Sequence, residues 1–286
     1  MVAGTICADL LDYSRRDAYF CGLAQQYDDR LLRFFALERG HLILRLHKDG
    51  TFRHDALSEL LHLLRMRYHL TERVYYHHAK VVAGAMVSRA LELALRAGLL
   101  QPQELYSLQD ESFLYLLHER GAQVPGVREL VEDLWSRRLY KRVYFLTLEQ
   151  PGRPGIPLEA QRELVERYHF NRQGAREEAE RRLARRLRLP EHAVILYCPS
   201  PQMALKEAEV LVQWSPHRPA GPLAELGQPD VAQLQQRHRH LWRFYVCLRR
   251  DALERAERAG ELCEELFGWP NLLPLQRKGQ LALEFD

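Results

Sequence analysis

The sequence lacks any apolar run long enough for a membrane-spanning helix, and its first residues, Met1 to Thr5, lack the pattern of a secretory signal peptide. We therefore expect a cytoplasmic protein with no membrane partner. Cysteine is scarce, since the five cysteines are odd in number, widely scattered and without metal-site spacing. This pattern predicts reduced thiols, mostly buried, rather than a disulfide framework. Internal repeats and low-complexity tracts are absent as well.

A strong charge of one sign is also lacking. The 41 Lys and Arg residues against 38 Asp and Glu leave a formal net charge of only +3. This balance argues against nucleic acid as the partner, so any basic site must be local. The apolar fraction is 47% over 286 residues, which supplies a substantial core and leaves room for a smaller C-terminal module.

The opening helix carries a stripe of chemistry-bearing residues. Asp9, Tyr13 and Asp17 are spaced four residues apart, which places two carboxylates and a phenol on one helix face. Such a stripe can hold a divalent cation and orient a phosphate beside it. The alternative is a solvated acidic face, because most charged helix positions lie at the surface.

A second stretch, from Leu63 to Lys80, holds three arginines, three tyrosines and three histidines. Few protein cores would tolerate this density of polar groups. A guanidinium binds phosphate oxygens through two parallel hydrogen bonds, and a tyrosine ring offers a flat apolar wall with a polar edge. The helical period breaks near residues 69–71, which places Tyr75 at the N-terminal end of a further helix, where a bound anion is favoured.

These two stretches and the later motif Arg137-Arg138-Leu139-Tyr140-Lys141-Arg142-Val143 resemble the HD-domain phosphohydrolases. The resemblance is to the branch that contains the SAM-and-HD-domain deoxynucleoside triphosphate triphosphohydrolases. It runs from about residue 4 to about residue 148 and continues more weakly to the end. It implies a metal-dependent enzyme that hydrolyses a deoxynucleoside triphosphate (dNTP) to deoxynucleoside and triphosphate. The cofactor would be a divalent metal, Mg, Mn, Fe or Zn.

The resemblance also implies roles for single residues. Asp9 matches the last metal-ligand aspartate of the family and would be catalytic. Tyr13 and Asp17 match groups that contact the triphosphate and sugar of the substrate. Arg67 matches a phosphate-binding arginine, and Tyr75 matches the tyrosine that lies against the sugar.

The next three residues modify this assignment. Tyr76 stands where some members have a glutamine that helps to select the nucleoside, so the preference for base and sugar differs or stays open. His77 and His78 are candidate proton donors near the phosphates. As helix neighbours they point about 100° apart, so they would not readily bind one ion together. A packed or surface role is the alternative for each.

The metal motif is incomplete in this sequence. In the family, a histidine and a His-Asp pair precede the aspartate that matches Asp9, and only eight residues stand before Asp9 here. We expect that the isolated chain does not assemble the metal centre, because affinity requires several ligands in fixed geometry. A complementing N-terminal HD half, an incomplete gene product or a lost activity would each account for this. The His54-Asp55 pair is no substitute, because Asp55 follows Asp9 and matches a helix N-cap.

Three basic groups are candidates for other ligands. Arg137, Arg138, Lys141 and Arg142 match a region where related oligomeric enzymes bind regulatory nucleotides between subunits, although a basic helix end is an equal alternative. Lys206 stands where relatives contact an effector phosphate. The run from Arg181 to Arg188 follows glutamates and fits a solvated helix face. The resemblance implies a homo-oligomer.

The predicted fold class is mainly α: the C-terminal part of an HD-domain helical core followed by a smaller α+β C-terminal subdomain. The predicted boundaries are 1–149 for the helical domain with a small hairpin near 41–53, 150–157 for a Pro- and Gly-rich linker, and 158–286 for the subdomain. Helices are predicted at 31–37, 55–98 with the break noted above, 102–106, 111–120, 127–140, twice within 158–189, and at 253–267. Strands are predicted at 41–47, 193–197, 210–214 and 242–248, and a mobile loop at 216–229.

Three functions remain open from the sequence. The first is the dNTP phosphohydrolase implied by the resemblance, incomplete as it stands. The second is a non-catalytic nucleotide-binding regulatory or assembly module, which would keep Arg67 and need no metal. The third is a nucleic-acid-binding protein, for which the expected aromatic interleaving and high pI are missing at a sequence pI of about 8.6.

Overall fold

The computed structural model describes residues 5–169, 174–200 and 206–274. Its α-helices are α1 (Ala8–Phe20), α2 (His54–Leu70), α3 (His78–Arg96), α4 (Asp110–Arg120), α5 (Val127–Trp135), α6 (Leu158–Tyr168), α7 (Ala175–Leu187), α8 (Pro229–Arg239) and α9 (Ala256–Phe267). Its strands are β1 (Phe35–Glu38), β2 (His41–Arg45), β3 (His47–Lys48), β4 (Thr51–Phe52), β5 (Lys141–Thr147), β6 (Val194–Tyr197), β7 (Leu211–Gln213), β8 (Gly221–Pro222) and β9 (Arg243–Leu248). The predicted fold class, mainly α with a small α+β part, is confirmed.

The chain divides into two compact units, each built from separate segments. The first unit comprises Met1–His77 and Gln202–Leu241, and the second comprises His78–Pro201 and Trp242–Asp286. The predicted linker 150–157 falls within the second unit. There it forms a tight turn, in which the backbone of Leu148 pairs with that of Ile156 and the Ile156 side chain is buried. A side chain at Gly155 would meet the Glu149 backbone nitrogen at 2.3 Å, so this turn requires glycine.

A mixed four-stranded sheet organises the first unit, in the order β1-β2-β7-β8. The β1–β2 hairpin closes through Arg39 and Gly40, whose φ angles of 50° and 80° suit a tight two-residue turn. β2 pairs in parallel with β7, and β7 pairs antiparallel with β8. The predicted small hairpin is present as β3 and β4, turned at Asp49 and Gly50. Helix α2 packs against both α1 and α8, and its buried residues include Leu60, Leu63 and Leu64.

Three predictions for the first unit need correction. The helix predicted at 31–37 is a 3-10 helix, Asp29–Phe34, followed by strand β1, because residues 35–38 find a pairing partner in β2. The predicted N-cap Asp55 lies inside the first turn of α2, where its carboxylate pairs with Arg53. The loop predicted at 216–229 contains β8 and the 3-10 helix Leu223–Leu226.

A three-stranded antiparallel sheet, in the order β5-β9-β6, forms the centre of the second unit. Helices α7 and α9 pack on it and on each other. Rings of Tyr144, Phe244 and Phe267 meet in its core, with ring centroids of Phe244 and Phe267 5.0 Å apart. All five cysteines of the chain are free, and Cys198, Cys247 and Cys263 are buried in this unit.

Two helix boundaries in the second unit also differ from prediction. The helix predicted at 127–140 ends at Trp135, because Arg137 adopts a left-handed φ of 53° and Arg138 turns back to pair with Asp133. Tyr140 is then buried, and its hydroxyl donates to the His192 carbonyl at 2.9 Å. The helix predicted at 253–267 begins as the 3-10 helix Arg250–Arg255 and becomes α9. Within the described part of the chain, no helix combines the length and the apolar character needed to cross a bilayer.

A buried ionic network joins α3 and α7 in the second unit. Arg89 is only 1% exposed, and one of its terminal nitrogens lies 3.4 Å from the fully buried Glu180 carboxylate. Arg176 contacts Glu180 at 3.4 Å and also pairs with Glu92. The Leu196 backbone N–H donates to Glu180 at 2.8 Å, which ties the network to β6. Burial raises the pKa of the Glu180 carboxyl to about 7, against the opposing effect of Arg176 and Arg89.

The shifted pKa of Glu180 predicts a pH dependence of stability. A carboxyl whose pKa rises from 4.5 to about 7 on folding binds its proton more tightly in the folded chain. Its contribution is therefore largest at low pH and declines by roughly 3 kcal/mol as the pH rises through this interval. The substitution Glu180→Gln should remove this decline, measured by urea unfolding at several pH values between 4.5 and 8.

Glu178→Gln is the matched control, because Glu178 lies on the same helix with its side chain 58% exposed. This control should reproduce the wild-type pH profile. Parallel profiles for the wild type and Glu180→Gln would contradict the prediction.

Candidate functional site

The stripe predicted on α1 lies at the edge of the core of the first unit. Asp9 is exposed, whereas Tyr13 and Asp17 are partly buried one and two turns further along. The opposite face of the helix anchors it through buried residues, namely Leu10, Leu11, Ser14 and Ala18. The stripe is therefore held in place by packing while its polar groups remain available for contacts.

The break predicted near residues 69–71 is a π-helical turn, Thr71–Tyr75, that continues α2. The Thr71 hydroxyl donates to the Arg67 carbonyl at 2.9 Å, and the Tyr76 backbone N–H donates to the Thr71 carbonyl at 2.8 Å. Single π-helical turns are frequent at functional sites, because the extra residue re-aims the side chains that follow it. Here the turn directs Tyr75 towards α1.

The two predicted stretches meet in space. The Tyr75 hydroxyl donates a hydrogen bond of 2.5 Å to a carboxylate oxygen of Asp17. The Tyr13 and Tyr75 rings lie edge to face, with centroids 6.3 Å apart. The Arg67 guanidinium lies 5.2 Å from the Tyr13 ring centroid and 4.9 Å from that of Tyr75. We call these four side chains, Tyr13, Asp17, Arg67 and Tyr75, the Arg67 cluster.

Electrostatics fix the protonation state of Tyr75. Burial raises the pKa of its phenol well above the ordinary value, and the hydrogen bond to Asp17 raises it further. The phenol therefore keeps its proton and acts as the donor to Asp17 at physiological pH. The Arg67 cation lies against the electron-rich faces of two rings, an arrangement that stabilises a partly desolvated guanidinium. The Arg67 cluster thus places one cation beside one carboxylate, with ring surfaces on either side.

A buried histidine that sequence reasoning missed packs behind Tyr76. His238 of α8 lies with its ring 6.3 Å from the Tyr76 ring and 6.5 Å from the Tyr68 ring. At the surface, Arg65 of α2 and Asp230 of α8 form an exposed ion pair of 2.6 Å. Nothing in the polar sequence of α8 singles out His238, because its role arises only from the packing of distant segments. The contact with the His238 ring gives Tyr76 a defined position.

The other candidates around the turn lie at its end. His77 is exposed and ends the first unit, and His78 is the exposed first residue of α3. Across residues 5–169, 174–200 and 206–274, no group of three or more His, Cys, Asp and Glu side chains could hold an ion. The described residues therefore do not make up a complete metal site around Asp9.

The candidate effector residues differ in their surroundings. Arg137 and Lys141 are exposed. Arg138 donates to Asp133 at 2.9 Å, and this carboxylate is itself buried. The Arg142 guanidinium lies 5.3 Å from the Tyr245 ring centroid. The Lys206 side chain lies outside the described part of the structure, so the prediction for it stays open.

The geometry of the Arg67 cluster predicts an energetic coupling between Tyr75 and Asp17. Tyr75→Phe and Asp17→Asn should each destabilise the chain, and their coupling energy in a double-mutant cycle should be roughly 1–2 kcal/mol. Urea unfolding of the two single variants and the double variant measures this coupling. Tyr106→Phe is the control, because Tyr106 is 94% exposed and its hydroxyl should contribute almost nothing. A coupling near zero would contradict the geometry.

Comparison with known proteins identifies the family but not the chemistry. No curated protein sequence matches the chain. A solved structure named as a phosphohydrolase from Bacteroides thetaiotaomicron shares the fold, with a TM-score of 0.54 and 15% identity over 87% of this chain and 62% of its own. A hypothetical protein from Aquifex aeolicus gives a TM-score of 0.55 and 18% identity over 88% of this chain and 56% of its own. This chain thus spans less than two thirds of the length of either structure. Residues 30–267 match the family described as the HD-associated region, and the chain belongs to that family.

Proposed function

We propose that this chain forms the nucleotide-binding part of an HD-type phosphohydrolase that converts a dNTP to deoxynucleoside and triphosphate with a divalent metal. The observation that carries the proposal is the Arg67 cluster, in which a cation, a carboxylate and two phenol rings from separate segments converge. The membership in the HD-associated family and the fold shared with a structure named as a phosphohydrolase support it.

Each member of the Arg67 cluster has a chemical role in this proposal. Arg67 would bind triphosphate oxygens through two parallel N–H groups, a geometry that lysine cannot reproduce. Tyr75 would lie against the sugar, because its ring offers an apolar face next to a polar hydroxyl. Asp17 accepts the hydrogen bond from Tyr75 and has further acceptor positions for a sugar hydroxyl. Tyr13 would contact the substrate beside them.

Two neighbours would adjust specificity and proton transfer. Tyr76, held against His238, would face the nucleoside and set the preference for base and sugar. His77 or His78 would donate a proton near the phosphates, since both side chains are exposed next to the π-helical turn. The basic residues Arg137, Arg138, Lys141, Arg142 and Lys206 would bind an effector nucleotide in a homo-oligomer.

The metal requires residues beyond those described. Asp9 would be one ligand, since it lies one turn before Tyr13 on the same helix and is exposed. The remaining ligands would come from an HD domain, either in the same polypeptide or in a complementing chain. The metal would be Mg, Mn, Fe or Zn and would activate the water that attacks the phosphate. A cytoplasmic location is part of this proposal, because it gives access to the nucleotide pool.

A second candidate function is a non-catalytic nucleotide-binding regulatory or assembly module. The same cluster favours it, because Arg67 and its ring neighbours can bind a triphosphate without a metal. This module would oligomerise when nucleotide binds and would release no triphosphate. The two functions therefore share the binding site and differ in chemistry.

Binding of dATP tests the shared site. Arg67→Ala should raise the dissociation constant for dATP about 30-fold, because it removes a charge-assisted contact of about 2 kcal/mol. Isothermal titration calorimetry measures this change. Arg65→Ala is the matched control, since Arg65 lies on the same helix and pairs with Asp230 on the surface. Its affinity should stay within about twofold of the wild type. Equal losses in both variants would refute the assignment of Arg67.

Product analysis distinguishes the two functions. Purified chain is incubated with each dNTP and Mn²⁺, alone and together with an HD-domain polypeptide that carries the family's histidine and His-Asp motif. The phosphohydrolase predicts free deoxynucleoside and triphosphate in the combined sample, and Asp9→Ala should abolish this release while leaving dATP binding within about threefold. Equal release by Asp9→Ala would exclude Asp9 as a ligand. Binding without release in every sample would favour the regulatory module.

A further inference from the structure

One face of the four-stranded sheet in the first unit carries a polar pocket that the proposed function does not use. Glu38 and His41 are directly opposite each other at the end of the β1–β2 hairpin, so both side chains lie on one face. Ile43 lies on the same face two residues along β2. The parallel pairing of Arg45 with Gln213 adds Gln213 of β7 to this face. Together with the loop after β7 these residues enclose a cavity of about 330 Å³.

The loop that closes the pocket is held in a defined conformation. The buried Gln213 side chain accepts a hydrogen bond from His47 Nε2 through its Oε1 at 3.1 Å and donates one from its Nε2 to the Arg218 carbonyl at 3.3 Å. The Arg218 backbone N–H donates to the Ser215 carbonyl at 3.2 Å, and the His217 N–H donates to the Ser215 hydroxyl at 3.3 Å. The loop therefore presents its side chains at fixed positions, which lowers the entropic cost of binding a ligand.

Two cationic side chains at the pocket have no carboxylate partner among the residues that the structure describes. Arg39 enters from the hairpin turn and Arg218 from the loop, and neither forms an ion pair with another residue that the structure describes. Glu38 lines the same cavity, and its Oε2 atom is buried without a hydrogen-bond partner among those residues. A buried carboxylate oxygen without a donor carries an uncompensated desolvation cost, so a ligand that supplies a donor would be favoured.

The pocket contains two guanidinium groups, a carboxylate lacking a donor and the apolar side chain of Ile43. These groups would suit a ligand that combines an anionic group with a hydrogen-bond donor. We propose that this pocket binds a small phosphate monoester that also carries a hydroxyl or N–H donor. Arg39 and Arg218 bind the phosphate, and Glu38 accepts from the donor. A sugar phosphate and a mononucleotide both have this chemistry, and the cavity is large enough for either. The pocket uses no residue of the Arg67 cluster, so the proposal does not depend on the proposed function.

Calorimetric titration of the full chain with three probes tests the pocket: inorganic phosphate, ribose 5-phosphate and adenosine 5′-monophosphate. Every titration is repeated in Arg67→Ala, which weakens binding at the nucleotide site proposed above. At least one monoester should bind tighter than inorganic phosphate, both in the wild type and in Arg67→Ala. The monoester that binds tighter shows whether the ligand is a sugar phosphate or a mononucleotide. Arg218→Ala should weaken that monoester about tenfold. Lys48→Ala is the charge-matched control, because Lys48 is an exposed cation outside the pocket and should change affinity less than twofold.

Glu38→Gln distinguishes binding of the phosphate group from binding of the donor group of the ligand. It removes the negative charge, so inorganic phosphate should bind severalfold tighter, whereas the advantage of the monoester over inorganic phosphate should shrink. Circular dichroism confirms that each variant is folded. The proposal is overturned by weak binding of both monoesters at millimolar concentration, by equal losses in Arg218→Ala and Lys48→Ala, or by a monoester advantage that Glu38→Gln leaves unchanged. Binding that vanishes in Arg67→Ala would likewise assign the ligand to the other site.

Discussion

The hydrogen bond from the Tyr75 hydroxyl to Asp17 is the contact on which the geometry of the Arg67 cluster depends. It joins the opening helix to the π-helical turn that continues α2, 58 residues further along the chain. Burial keeps the Tyr75 phenol protonated, so the bond has a fixed direction and Asp17 is its acceptor. Arg67 lies against the rings of Tyr13 and Tyr75, which places a cation beside this bond.

Much of this arrangement is predictable from sequence, because its determinants are local. The four-residue spacing of Asp9, Tyr13 and Asp17 fixes a common helix face, and α1 confirms that they share one helix. The break predicted near residues 69–71 is present as the π-helical turn, but the prediction that Tyr75 begins a further helix is wrong, because Tyr75 ends this turn and α3 begins at His78. The Lys48-Asp49-Gly50 turn signal predicts the β3–β4 hairpin, and the structure confirms it.

The remaining features depend on contacts between distant segments. Residues 35–38 have a helical pattern, yet they form β1, because pairing with β2 satisfies their backbone groups. The end of α5 at Trp135 could not be predicted from the sequence, because it depends on the left-handed conformation of Arg137 and on the contact of Arg138 with Asp133. His238 carries no sequence signal at all, since only the fold brings it to Tyr76.

The most direct measurement is a crystal structure of the chain with a non-hydrolysable dNTP analogue. The account predicts triphosphate oxygens within hydrogen-bond distance of the Arg67 guanidinium, the sugar against the Tyr75 ring, and the bond between Tyr75 and Asp17 retained. An analogue bound elsewhere on the chain, without contact to the Arg67 guanidinium, would contradict it.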